Sequence, residues 1–106
     1  MATLHRVKIT VVRKMDMRDL WGDTETGAVE DFPPVCDAFE IGDEFIVAPG
    51  QTPAGFCSGA FADIYRFVSG LQRGADYAWM AKPGEVTVCC VDAFRPVAFK
   101  IERLEE

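Results

Sequence analysis

Residues 57–73 read CSGAFADIYRFVSGLQR, and this stretch decides the fold. Cys57, Ala60, Phe61, Ile64, Phe67, Val68 and Leu71 recur at i, i+3, i+4, i+7, i+10, i+11 and i+14. That spacing draws one apolar stripe down a helix of 3.6 residues per turn. Asp63, Arg66, Ser69 and Arg73 fall elsewhere on the wheel. Ser58 is the expected N-cap, and Gly74 stands where a left-handed residue closes a helix. Gly59 and Gly70 each weaken a helix by about 0.5–1 kcal/mol relative to alanine, so a glycine at either place points to a close neighbour.

Strand patterns lie on both sides of this helix. Residues 6–13 (RVKITVVR) alternate, with Val7, Ile9 and Val11 on one side and Arg6, Lys8 and Thr10 on the other. That is a half-buried strand with one solvated face. Asp16 is placed to cap a short helical turn through Leu20 and Trp21. Residues 22–34 are acidic and punctuated by Gly27 and Pro33-Pro34, which predicts a flexible loop. Gly42-Asp43 forms a turn into a short strand, Glu44 to Val47, ended by Pro49-Gly50. After the helix, Glu85 to Val91 alternates with Val86, Val88 and Cys90 on one face. Asp92 to Pro96 makes a turn with an expected bulge, because proline cannot donate to a ladder. Val97 to Arg103 then alternates again, with Val97, Phe99 and Ile101 inward. The last two strands should pair as an antiparallel hairpin. The order β-β-α-β-β predicts an α+β fold. A small antiparallel or mixed sheet of about four strands carries one main helix on one face.

The chain has 106 residues, the material of a single domain spanning 1–106. Eleven basic and seventeen acidic side chains give a net charge of −6. A non-specific nucleic-acid binder, or a binder of anionic membrane, needs a basic face instead. No apolar run is long enough to span a bilayer, and no export signal precedes the first strand, so the expected location is cytoplasmic. One helix cannot cover both faces of the sheet. Surplus apolar surface therefore predicts a homo-oligomer.

Chemistry concentrates in four cysteines: Cys36, Cys57, Cys89 and Cys90. Cys57 stands at the helix start, where first-turn amides and the helix dipole favour negative charge. One reading makes it a nucleophilic or ligand-contacting thiol, and another a small member of the buried stripe. Cys89 and Cys90 are adjacent in a strand and point to opposite faces, so both cannot serve one metal without a bulge. Cys36, Cys57 and Cys90 form the easier set for a metal or iron–sulfur centre. Asp63, six residues after Cys57, is a second catalytic candidate, but 600° of helix turn puts it on a different face. Trp79, Arg95 and Tyr65 are candidate ligand contacts: Trp79 as an apolar wall, Arg95 as an anion contact or as a turn partner of Asp92. His5 is the sole histidine and lies near the start of the chain, which argues against a Cys–His dyad and a Ser–His–Asp triad. Glycine-rich phosphate loops are absent.

Several elements together carry a resemblance. They are Gly55-Phe56-Cys57, Ala62-Asp63-Ile64-Tyr65, Cys89-Cys90-Val91-Asp92, Arg95-Pro96-Val97 and Phe99-Lys100-Ile101-Glu102-Arg103. The chain resembles, from Val7 to Arg103, a family of small uncharacterised prokaryotic proteins of about this length. That family also has a cysteine before the Gly-Asp strand, matched by Cys36. It departs here at Asp37, where proline is common, and at Ser58-Gly59, where proline and tryptophan are common. The resemblance implies a single-domain layout and implies that Cys36, Cys57 and Cys90 are not incidental. It implies no activity. The sequence thus supports a cysteine-lined site for a small molecule or a metal near the helix start. A non-catalytic interaction subunit using the acidic loop and the sheet face is a second reading. An enzyme of small-molecule metabolism acting through Cys57 or Asp63 is a third.

Overall fold

The computed structural model describes residues 3–105. Its elements are β1 (Val7–Lys14), α1 (Met17–Trp21), β2 (Glu44–Val47), α2 (Ser58–Gln72), β3 (Glu85–Cys89) and β4 (Val97–Arg103). The described residues form a four-stranded sheet in the order β2-β1-β4-β3, antiparallel at every pairing. The expected α+β class is met, with α2 as the one long helix across the sheet.

Register follows from burial. Ile9 faces Ile101 on one neighbour and Phe45 on the other, and β3 sets Val86 against Ile101 and Val88 against Phe99. These residues share the α2 side of the pleat. Against them the helix lays Ala60, Phe61, Ile64, Val68 and Leu71, all buried. Two phenylalanines from the connections complete the core. Phe39 packs edge-on to Phe45, Phe56 and Phe99, with centroids 6.1, 4.9 and 5.2 Å apart. Such edge contacts add to the burial of the rings.

The opposite sheet face is charged. Lys8 lies between Glu44 and Glu102, at 3.6 and 4.0 Å, and Lys100 pairs with Glu85 at 3.5 Å. Ile46, 48% exposed, lies directly across from Lys8. Cross-strand ion pairs of this exposed kind each contribute little to stability.

One local expectation changes. The bulge lies on β1 rather than in the turn before β4: Val11 pairs with Phe99 and Arg13 with Ala98, leaving Val12 extra. Pro96 precedes β4, and its carbonyl still accepts from Met15 N at 2.9 Å. The acidic segment 22–34 is docked at both ends. Trp21 Nε1 donates to Ala93 O at 2.8 Å, and Phe32 meets Phe94 edge-on at 5.4 Å. Asp16 caps α1 as expected, accepting from Arg18 N at 2.8 Å.

Candidate functional site: a thiol-lined cleft at the start of helix α2

Helix α2 begins one residue earlier than the cap expectation. Cys57, not Ser58, is the N-cap, in an extended conformation (φ −60°, ψ 120°). Its carbonyl accepts from Phe61 N at 2.9 Å, but its side chain makes no capping hydrogen bond. The amides of Ser58, Gly59 and Ala60 consequently meet no protein acceptor among the described residues. This is the donor-rich end that a helix leaves unless something caps it. Cys57 is exposed, outside the buried stripe that begins at Ala60. A β-carbon at Gly59 would stand 4.0 Å from Cys57 Sγ, so the missing side chain leaves room beside the thiol.

A cleft of about 280 Å³ opens at this point. Cys57, Gly59, Ala60 and Asp63 line it from α2 and its cap. Cys36 and Asp37 reach it from the segment before β2, with Phe39 of the same segment in the apolar floor. Cys90, Asp92, Arg95 and Val97 reach it from the β3–β4 turn. Three chain segments, distant in sequence, therefore bring three thiols to one cavity.

Neighbouring bonds hold these walls. Cys90 continues the ladder past β3, with its N–H on Val97 O at 3.2 Å, while its Sγ accepts from Val97 N at 3.3 Å. Asp63 Oδ2 accepts from Val91 N at 2.9 Å and ties the helix to the strand end. Asp92 Oδ1 accepts from Phe94 N and Arg95 N at 2.9 and 3.1 Å, which closes the turn. Asp92 Oδ2 lies 3.7 Å from Arg95 Nε, an ion-pair distance too long for a hydrogen bond. Nε is sealed from solvent and has no hydrogen-bond partner among the described residues. The guanidinium lies over the Phe32 ring, 4.6 Å from its centroid. Arg95 is thus both a turn partner of Asp92 and a cleft residue.

Of the residues singled out in the sequence, Cys36, Cys57, Cys90, Asp63 and Arg95 meet at the cleft. The helix-wheel separation of Cys57 from Asp63 does not hold. It assumes that both residues turn with the helix, whereas Cys57 is still extended. Tyr65 and Trp79 do not line the cleft. Tyr65 is 42% exposed and its ring leans against Phe61, and Trp79 is 67% exposed and leans against Tyr77, both at tilted angles. Phe39 and Val97 supply the apolar surface expected of Trp79. Cys89 lies apart from the cleft lining, and burial, with Cys90 and Asp63 nearby, pushes its thiol up from the ordinary range. Among the described residues no three His, Cys, Asp or Glu side chains stand together as a metal-binding group. Sharing a cavity is weaker than coordination, where sulfur ligands sit about 2.3 Å from one ion. The ligand set proposed from Cys36, Cys57 and Cys90 therefore has no support in this geometry.

Sequence reasoning missed Asp37, Gly59 and Phe39 as lining residues. Asp37 was legible only as the neighbour of Cys36, and Gly59 only as a helix-weakening residue in the first turn. Compared with family models, characterised proteins and solved structures, the chain matches none. The resemblance drawn from its motifs stands on the motifs alone.

Proposed function

We propose that the protein binds a small molecule in the cleft at the start of α2, with Cys57 as the thiol that contacts it. One observation carries this reading: Cys36, Cys57 and Cys90 come from three separate segments to one cavity. A second point of chemistry supports it. Ser, Asp, Asn or Thr at an N-cap stabilises a helix by about 1 kcal/mol over a residue that cannot cap. The chain forgoes that gain at position 57 and puts an exposed thiol there. Departures from local preference of this kind concentrate at functional sites. A cleft with an apolar floor and a few converging polar groups is the ordinary form of a small-molecule site.

Alkylation tests the reading. In native protein iodoacetamide should label Cys57 first, by peptide mass mapping. Compounds that raise the melting temperature in a metabolite panel should slow that labelling. Gly59→Leu should fill the cleft, abolish the protection and leave the protein folded, since a β-carbon there meets only Cys57 Sγ, at an ordinary contact distance of 4.0 Å. The reading is wrong if no compound protects Cys57 and Gly59→Leu leaves the labelling of all three cleft cysteines unchanged.

A further inference from the structure

The charges around the cleft say more about what it takes, provided that the cleft is a binding site as proposed above. Asp37, Asp63 and Asp92 are among its lining residues, with Arg95 as the one cationic residue among them. Asp92 and Arg95 face each other at 3.7 Å and offset one another. Asp37 and Asp63 have no cationic partner among the described residues. Among the described residues Asp37 has no hydrogen-bond partner either, and Asp63 accepts only from Val91 N. The cleft therefore holds two uncompensated negative groups, which favour a positively charged ligand group and repel a purely anionic ligand.

The same cleft also holds donors without acceptors. The amides of Gly59 and Ala60 lie in the uncapped first turn, and both residues line the cavity. A ligand that displaced water from these amides without offering an acceptor would leave them unsatisfied, at a cost comparable to a lost hydrogen bond. Arg95 adds a guanidinium whose nitrogens donate to no protein acceptor among the described residues. A carboxylate satisfies donors of this kind best. Phe39, Ala60 and Val97 supply apolar lining in the same cavity.

We infer that the ligand is a compact zwitterion, carrying an ammonium and a carboxylate on a small apolar frame, as free amino acids do. The ammonium is held by Asp63 and Asp37, the carboxylate by the first-turn amides of α2 and Arg95. A singly charged analogue satisfies one set and offends the other.

Isothermal titration of the purified chain with the twenty free amino acids tests this. Those that bind are retested as methyl esters, which keep only the ammonium, and as N-acetyl derivatives, which keep only the carboxylate. At least one free amino acid should bind, and both single-charge forms should bind about tenfold more weakly or worse. Asp63→Asn keeps a carbonyl oxygen for Val91 N–H while removing the charge. It should weaken the free amino acid and its ester alike. Asp37→Asn touches no internal bond and checks the same point without risk to folding. The zwitterion assignment fails if no free amino acid binds while other small molecules protect Cys57 from alkylation. It also fails if an ester or N-acetyl form binds as tightly as the parent. If nothing protects Cys57 at all, the cleft itself is not a binding site, and both readings fall together.

Discussion

The two ends of α2 are built in opposite ways. At the C-terminal end every available group is tied. Gly74 takes a positive φ of 93°, its N–H bonds Leu71 O at 3.1 Å, and Ala75 N–H reaches back to Gly70 O at 2.9 Å. This is the left-handed closure that satisfies the last carbonyls. Arg103, its side chain only 10% exposed, crosses from β4 to donate to Leu71 O and Ala75 O at 3.3 and 2.9 Å and to Asp76 at 3.0 Å. Buried Gln72 donates to Val47 O at 3.2 Å and accepts from His5 N at 2.9 Å. At the N-terminal end the cap side chain makes no capping bond, and three amides meet no acceptor among the described residues. One end anchors the helix to the sheet, and the other is left unsatisfied beside a cavity. The contrast teaches where the molecule puts stability and where it keeps groups in reserve.

The strongest way to break that contrast is Arg103→Met. It removes charge-assisted bonds from a mostly buried site and should lower stability by about 2–3 kcal/mol, read as a shift in the urea midpoint. An unchanged midpoint would mean that the anchored end is not anchored by this residue. At the other end the sign reverses. Cys57→Asp supplies the missing cap and should raise stability by about 1 kcal/mol, while abolishing the fast alkylation. A loss of stability there would show that the helix end is already satisfied.

A smaller effect sharpens the anchored end. Gly70 lies directly under the Tyr77 hydroxyl, leaving no room for a β-carbon, whereas the ring carbon behind it would stand at 3.6 Å. Gly70→Ala should therefore destabilise the native protein by about 1 kcal/mol, since the ring must shift. In a Tyr77→Phe background the same change should stabilise by about 0.5–1 kcal/mol, because only the helix preference for alanine remains. Without the sign change, Tyr77 is not what glycine accommodates.

The smallest effect is on pH. Arg103, and then Gly84 N–H, hold the Asp76 carboxyl below its usual range. A depressed folded value gives stability that is fully present above the unfolded carboxylate range. That stability is lost as pH falls through the folded value. Acid titration followed by amide exchange should loosen the 70–76 region as Asp76 is protonated, and Asp76→Asn should remove that pH dependence.

Much of this arrangement was legible in the residues. The stripe from Ala60 to Leu71 gave the helix, and period-two alternation gave β1, β3 and β4, because burial on one side leaves a mark at every second or third position. Gly74 as the closing residue was legible because few residues accept its backbone angles. The start of the helix was not. Serine is a better cap than cysteine, so local preference pointed one residue too far, and the wheel then separated Cys57 from Asp63. Trp79 and Tyr65 illustrate another limit. An aromatic residue records a preference for contact but not its partner, and here the partners are Tyr77 and Phe61. The meeting of Cys36 with Cys90 depends on strand order, which no local pattern encodes.

The middle of the sheet joins β1 to β4, the first of the strands to the last. During synthesis β1 leaves the ribosome and must wait through the whole chain from Lys14 to Val97 for its main neighbour. Until then its apolar row is covered only by what β2 and the helix can offer, and the edge of β1 that β4 will pair stays open. Such a layout has high sequence separation between contacts and folds slowly for its size. The nascent chain would be most open to chaperones and to self-association in that interval, and a circular permutant joining β4 directly ahead of β1 should shorten it.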